Sequence, residues 1–306
     1  MELDDLVRPL IVPPGKKISL GKDYDPGRTL KGVNKQRAEN LLTLGVSMLA
    51  GYQDKLYAQD KHALLMIFQA IDAAGKDGAI KHVLSGVNPQ GCQVFNFKAP
   101  SSEDLDHDYL WRCFKALPER GRIGIFNRSY YEEVVVVRVH PELLERQRMP
   151  KPRSFQDIWP RRYEEINNFE KYLTNNGIHV LKIFLHLSKE EQRQRFLKRL
   201  NDPDKNWKFS LADVRERECW DDYHSAYEDM LNETSTKWAP WHVVPADHKW
   251  YSRLCISGLA CHKLRSLDLQ YPEVDDSQKQ QLDAARKLLE DEGERGGNRK
   301  RKGKGR

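Results

Sequence analysis

Nowhere does the sequence reach the roughly 18 consecutive apolar residues that a membrane-spanning helix requires. Its opening residues, MELDDLVRPLIVPPGKK, begin with acids and hold no long apolar run, so they make a poor secretory leader. The five cysteines (Cys92, Cys113, Cys219, Cys255, Cys261) form no CxxC pair and no metal-ligand spacing. An odd, scattered set in 306 residues argues against a disulfide framework or a zinc cage. It reads as reduced thiols in the cytoplasm. No internal repeat is visible. The last twelve residues lack acids altogether and lack aromatic side chains on which a base could stack.

That same stretch, Arg295 to Arg306, holds seven basic residues. Setting them aside leaves 44 (51 − 7) basic residues against 45 acidic ones, so the overall charge of +6 belongs to the tail. The body is near neutral, and any anion site in it has to come from local clustering. Hydrophobic residues make up 39% of the chain, enough for one large α/β domain with an insert or two small ones.

Pattern divides the chain into three. Residues 1–33, rich in Pro, Gly and Asp, are expected to form an extended arm. Residues 34–270 alternate between helical and strand-like runs. The segment Asn34 to Tyr57 carries apolar residues at helical spacing, and Ala63 to Phe68 is a short continuous apolar run. Cys92–Phe97, Arg122–Phe126, Ile178–Leu187 and Trp241–Val244 read as further strands. Ser101 with Asp104 opens a helix expected to reach about Leu117, and Ser188 with Glu191 opens another. Helices are also expected over Asp157–Asn176, Asp221–Leu231 and Lys249–Leu267. The run Val134 to Val137 favours a strand by β-branching, but its place after a strand end and a polar turn favours a helix. Strands alternating with helices predict an α/β three-layer sandwich around a parallel sheet. Residues 189–220 form a candidate helical lid. Residues 271–306 are expected to be a charged, disordered tail apart from a short helix near Gln281–Leu289.

The chemistry centres on Ala70-Ile-Asp-Ala-Ala-Gly-Lys-Asp77, directly after the buried run. A phosphate-binding loop needs small residues, so that backbone N–H groups can turn towards phosphate oxygens. It also needs a helix N-terminus behind it and a lysine that reaches the anion. Ala73, Ala74, Gly75, Lys76, Asp77, Gly78 and Lys81 are the candidate phosphate ligands. The usual hydroxyl after the lysine is replaced by Asp77. Asp72, inside the loop, would be repelled by phosphates unless a Mg²⁺ ion lay between them. The alternative is that it caps the loop as an Asx turn. A second cluster, Asn127-Arg-Ser-Tyr-Tyr-Glu-Glu133, follows a hydrophobic strand, where P-loop enzymes place a metal-binding residue. Asp72, Asn127 and Glu132 are the candidate metal ligands. Asp72, Lys76 and Arg128 are the candidate catalytic residues. A third cluster is basic: Arg193, Arg195, Lys198, Arg199, Lys205, Lys208, Arg215 and Arg217. From it Arg195, Arg199 and Lys208 are expected to close on a polyanion and exclude water. Two alternatives stay open: an ATP-dependent small-molecule or nucleotide kinase on the same core, and a nucleic-acid binder acting through its tail.

Several stretches together resemble the polyphosphate kinase 2 family. They include Asp72-Ala-Ala-Gly-Lys-Asp-Gly78, Ser85-Gly-Val-Asn-Pro-Gln-Gly91, Phe97-Lys-Ala-Pro100 and Phe126-Asn-Arg-Ser129. Val136-Val-Arg-Val-His140, Asn206-Trp-Lys-Phe-Ser210, Trp220-Asp-Asp-Tyr223 and Pro245-Ala-Asp-His-Lys-Trp250 extend the likeness over most of the chain. The resemblance implies a thymidylate-kinase-like P-loop core and Mg²⁺. It also implies inorganic polyphosphate as donor and a nucleoside mono- or diphosphate as acceptor, with ATP and ADP as products. Asp72, Lys76 and Arg128 match the family's loop Asp, loop Lys and strand-end Arg. Asn127 with Glu132 is similar to the class that accepts both AMP and ADP. A homo-oligomer is expected. Ala70 and Ile71 depart from the family's usual Gly-Met, and His248 from a usual Asp.

Overall fold

A computed structural model describes residues 2–150, 157–204, 206–208 and 210–302, with only the backbone of Lys208 and of 293–302. Two compact units result, Met1–Gln270 and Tyr271–Arg306.

The first unit is built on five parallel strands in the order β2-β3-β1-β4-β5. They are β1 (Ala63–Gln69), β2 (Cys92–Asn96), β3 (Ile123–Asn127), β4 (Ile178–His186) and β5 (Trp241–Pro245). The longer helices are α1 (Lys35–Gln59), α2 (Lys76–Val83), α3 (Ile158–Asn175), α4 (Lys189–Leu200), α5 (Trp220–Thr234) and α6 (Lys249–Arg265). A strand covered on both faces has no polar side to show, and β1 is buried at every position. Its alternate residues serve opposite faces. Leu64, Met66 and Phe68 join a core with Leu49 and Leu56 of α1, Ile80 of α2 and Leu254 and Leu259 of α6. Leu65 and Ile67 join a second core with Ile166 of α3 and Met230 of α5. The result is the expected three-layer sandwich.

Caps set the helix starts as the sequence indicates. The Asn34 side chain accepts from the amide of Arg37, and Ser188 Oγ accepts from the amide of Glu191. The region after Ser101 differs from expectation. The capping box forms, but the helix ends at Leu105 and a separate turn of helix covers Trp111–Phe114. Asp108 Oδ1 accepts from the amide of Leu110, and such short side chains compete with helix continuation. The Val134–Val137 run is not extended: Val134 and Val135 lie in a turn, and a single turn of helix covers Val136–Val139.

The N-terminal arm is packed rather than simply extended. It contains short helices at Leu3–Val7 and Leu20–Asp23 and buries Leu6, Val7, Leu10, Val12 and Leu20. Val12 donates its amide to Trp241 O at 2.9 Å, and Ile11 bridges His242. The apolar residues between the prolines thus cover the outer edge of β5, which would otherwise offer unpaired backbone groups.

In the second unit a helix, α7, runs over Asp276–Lys302, well beyond the short segment expected within a disordered tail. Its Gln, Lys, Ala, Arg, Leu and Glu residues are strong helix formers, and local propensity outweighs the glycines. No helix among the described residues is long and apolar enough to cross a membrane.

Candidate active site

Ligands of open parallel sheets bind beyond the carboxyl ends of the strands, where the strand order reverses direction. Here that place lies around the end of β1, between β3 and β4. Phe68 pairs with Asn127, which sets the start of the β1 loop beside the end of β3. The loop then turns through left-handed backbone at Ala73 (φ 62°) and Gly75 (φ 101°), and Gly75 caps α2. Ala70 is not among the left-handed residues, so its methyl group, in place of the family's glycine, brings no backbone strain.

Lys76 opens α2 and is buried, with Nζ donating to Ala70 O at 2.8 Å across the loop it closes. Burial pushes its pKa down, and Arg128 adds to this, while Asp72, Glu132 and Asp77 oppose it. Arg128 has left-handed backbone (φ 65°) and continues the ladder by donating its amide to Phe68 O. Its guanidinium lies 2.9 Å from Asp72 Oδ1 and 3.7 Å from Glu132 Oε2. Burial works against the charged form of Arg128, but Glu132 and Asp72 outweigh it and raise the pKa. Burial raises the Glu132 pKa despite Arg128 and Lys76. The third expected metal ligand, Asn127, donates Nδ2 to Asp77 Oδ1 at 2.7 Å. Oxygen donors lie in two groups, Asp72 with Glu132 at Arg128 and Asp77 with Asn127 at the head of α2. Among the described residues, no three His, Cys, Asp or Glu side chains form a ready-made metal cage.

Two cavities meet at Asp72 and Arg128. The first, 890 Å³, lies over the loop and is lined by Lys76, Lys98, Lys198, Arg199, Lys249 and Arg253 among others. The second, 430 Å³, is lined by Trp220, Tyr223, Tyr227 and His140 together with Glu132, Glu142 and Glu216. One is dominated by cations and the other by aromatic rings and carboxylates. Residues of the 189–220 segment line both. Lys198 and Arg199 of α4 face the first cavity, and Glu216, Arg217 and Trp220 face the second. Asp213 borders both and lies 3.7 Å from Arg199.

The expected phosphate residues Ala73, Ala74, Gly75, Lys76, Asp77, Gly78 and Arg199 all line the cationic cavity. Lys81 is exposed and is not among that cavity's residues. Five residues along a helix turn a side chain about 140° away from Lys76. Arg195 borders the cavity, but its donors are occupied by protein acceptors on the loop and elsewhere. Lys205 and the side chain of Lys208 fall outside the described residues, as do the basic side chains from Arg295 onwards. Sequence reasoning assigned no role to Lys98, Lys249, Arg253 or Asp213. Lys249 and Arg253 are one helical turn apart, a spacing visible in the sequence, but nothing local shows that α6 starts beside the loop.

The fold and this pair of cavities define a P-loop phosphotransferase. A family model described as polyphosphate kinase 2 matches residues 32–272, and the chain belongs to that family. It is 51% identical over 279 residues to the ADP-polyphosphate phosphotransferase of Rhodopseudomonas palustris, covering 90% of this chain and 95% of that one. It is 43% identical over 254 residues to the AMP/ADP-polyphosphate phosphotransferase of Meiothermus ruber, covering 82% and 91%. The crystal structure of polyphosphate kinase 2 from Arthrobacter aurescens TC1 superposes with a TM-score of 0.81 at 40% identity, covering 90% of this chain and 95% of that one.

Proposed function

We propose that the protein transfers a phosphoryl group from inorganic polyphosphate to ADP, forming ATP, and to AMP, forming ADP. The observation that carries this reading is the meeting of two chemically different cavities at Asp72 and Arg128. A chain of phosphates needs a long cationic track and no recognition of a base, which suits the cavity of Lys98, Lys249 and Arg253. A nucleoside needs aromatic surface and hydroxyl acceptors, which suits the cavity of Trp220, Tyr223 and Glu216. The names of the two relatives support the same substrates.

The donor's terminal phosphoryl group would lie in the β1 loop, held by loop amides and the Lys76 ammonium. The first amides of α2 have no partner within the helix and add to that cradle. A terminal oxygen of the nucleotide attacks in line. A new P–O bond forms to the acceptor as the P–O bond to the shortened polyphosphate breaks. The attacking oxygen is already ionised, so no general base is needed, and catalysis rests on positioning and charge. Arg128, between the cavities, stabilises the negative charge on the group in transit. Asp72 holds that guanidinium in place. Both P–O bonds are phosphoanhydrides of similar activation, so the reaction runs in either direction.

Mg²⁺ fits the donors present, because it takes one or two carboxylates and completes its shell with phosphate oxygens and water. Asp77 with Asn127, or Asp72 with Glu132, would hold it, and it would neutralise phosphate charge. Residues 189–220 act as the lid over both substrates. The free cysteines suit a reducing cytoplasm.

The test is to incubate purified protein with Mg²⁺, polyphosphate and either AMP or ADP, with ATP omitted, and to identify the nucleotides formed. Phosphorylated nucleotide without added ATP is the expected result. Product that appears only when ATP is supplied would assign the site to an ATP-dependent kinase.

A further inference from the structure

We infer that α4 is a backbone clamp for the phosphate loop, and that Gln192 and Arg195 are positioning residues for it rather than ligands of phosphate. The inference rests on the reading of the loop as the donor-phosphate site.

Three consecutive loop carbonyls accept from α4. Gln192 Nε2 donates to Asp72 O at 3.0 Å, and Arg195 Nη1 donates to Ala73 O at 3.1 Å and Ala74 O at 2.7 Å. The two side chains are three residues apart and so lie on one face of the helix. Both are buried, 4% and 6% exposed. In a planar trans peptide the C=O of one residue and the N–H of the next point in opposite directions. Holding the oxygens of Asp72, Ala73 and Ala74 against α4 therefore turns the amides of Ala73, Ala74 and Gly75 to the other side of the loop. Of these, Ala74 makes a long 3.4 Å bond to Ile71 O. Left-handed backbone at Ala73 is costly for a residue with a Cβ and persists only where surrounding bonds enforce it. The Arg195 bond to Ala73 O is such a bond.

Arg195 has no donor left for a substrate. A guanidinium carries five N–H groups. Nη1 meets two loop carbonyls, Nη2 meets Ala246 O at 2.5 Å and Asp247 O at 3.2 Å, and Nε meets Glu191 Oε1 at 2.8 Å. It ties the β1 loop to the β5–α6 loop with α4 between them. Gln192 is oriented from the other cavity, since its Oε1 accepts from Arg217 Nη1. Arg217 lines the aromatic cavity, so the loop's amides are held in register with the acceptor side of the site.

The experiment compares Arg195→Lys, Arg195→Met and Gln192→Met with wild type. Affinity for inorganic tripolyphosphate is measured by calorimetry at several salt concentrations, alongside turnover of ADP with polyphosphate. A lysine keeps the charge but cannot span four carbonyls. The clamp therefore predicts that Arg195→Lys and Arg195→Met lose tripolyphosphate affinity alike, at least 10-fold. The slope of log affinity against log salt stays that of wild type in both. Gln192→Met gives a smaller loss with the same slope. The Gln192→Met/Arg195→Lys double variant loses less than the product of the single losses. Wild-type affinity in Arg195→Lys overturns the clamp. So does a shallower salt slope in Arg195→Met alone, which would make Arg195 a direct phosphate contact. Should Arg195→Met fail to fold, Arg195→Lys and Gln192→Met carry the comparison. Because tripolyphosphate binding needs no acceptor, a wild type that binds it but phosphorylates no nucleotide would fault the proposed reaction and leave the clamp standing.

Discussion

Asn127 Nδ2 donates to Asp77 Oδ1 at 2.7 Å, which joins the end of β3 to the first turn of α2. A neutral amide satisfies the Asp77 carboxylate without a cation. Asn127→Asp replaces that bond with two carboxylates facing each other, and only a cation between them relieves the repulsion. The variant is expected to require Mg²⁺ at several-fold lower concentration for half-maximal activity. A more firmly held ion also leaves less freedom for acceptors of different length. AMP use should fall more than ADP use, by about 10-fold or roughly 1.4 kcal/mol. Ratios of kcat/KM for the two acceptors, with Mg²⁺ titrated, decide it. Equal losses for AMP and ADP would show that Asn127 does not set acceptor length.

Lys76 is the single ammonium buried within the loop's own turn. Lys76→Ala should lower kcat by at least about 10²-fold, on the order of 2.7 kcal/mol. The circular dichroism spectrum should stay native, since the loop remains attached to α4 through Gln192 and Arg195. Retained activity in the variant would remove the loop from the mechanism.

Arg253 faces the cationic cavity from α6, where burial lowers its pKa. Arg253→Ala should raise KM for polyphosphate about 3- to 10-fold at low salt, and the difference from wild type should shrink as salt is added. The KM for ADP should stay within about 2-fold. If only the nucleotide KM moves, the two cavities have been assigned to the wrong substrates.

His242 is buried on β5 with Nδ1 facing Lys182 O at 3.0 Å. Burial lowers its pKa to about 4 from an ordinary 6.5. Burial acts in the same direction on His186 and His179, also to about 4. The unfolded chain takes up these protons below pH 6.5 and the folded protein does not. Stability is therefore fully present above pH 6.5 and is lost as pH falls towards 4. Each such histidine contributes at most about 1.4 kcal/mol per pH unit in that window. Thermal melts should show the fall, and His242→Gln should flatten it. An unchanged slope in His242→Gln would mean that other groups govern acid unfolding.

Lys182 and Glu170 are both fully buried, with Nζ 2.6 Å from Oε2. Tyr130 and Tyr131 donate to Glu170 Oε1, and Lys182 also donates to Thr234 O. Lys182→Met leaves the carboxylate without its cation and should cost about 3–5 kcal/mol. Glu170→Leu in the same protein should recover much of that loss, which a urea denaturation series would reveal. No recovery would show that the pair's value lies in its hydrogen bonds to the tyrosines and Thr234 rather than in charge.

The sequence by itself determined the order and type of nearly every long element, because apolar spacing and caps are local properties. A continuous run such as Ala63–Phe68 has to be covered on both faces, and Asn34 and Ser188 mark helix starts that the structure keeps. Small residues before Lys76 were enough to identify the loop, since a cradle of backbone amides depends on what the side chains leave room for. Only the tertiary structure decided what those residues face. Lys81 follows Lys76 closely in sequence yet lies outside the phosphate cavity, while Lys249 and Arg253, far along the chain, enter it. Arg195 is read as one more cation in a basic run, but folding brings four carbonyls to it from two distant loops. Asp72 and Glu132, far apart in sequence, meet at Arg128, while Asn127 bonds to Asp77. Local interactions act over a turn of chain, whereas a site forms at the ends of strands and on loops that meet through hydrogen bonds between residues 50 to 122 apart in sequence.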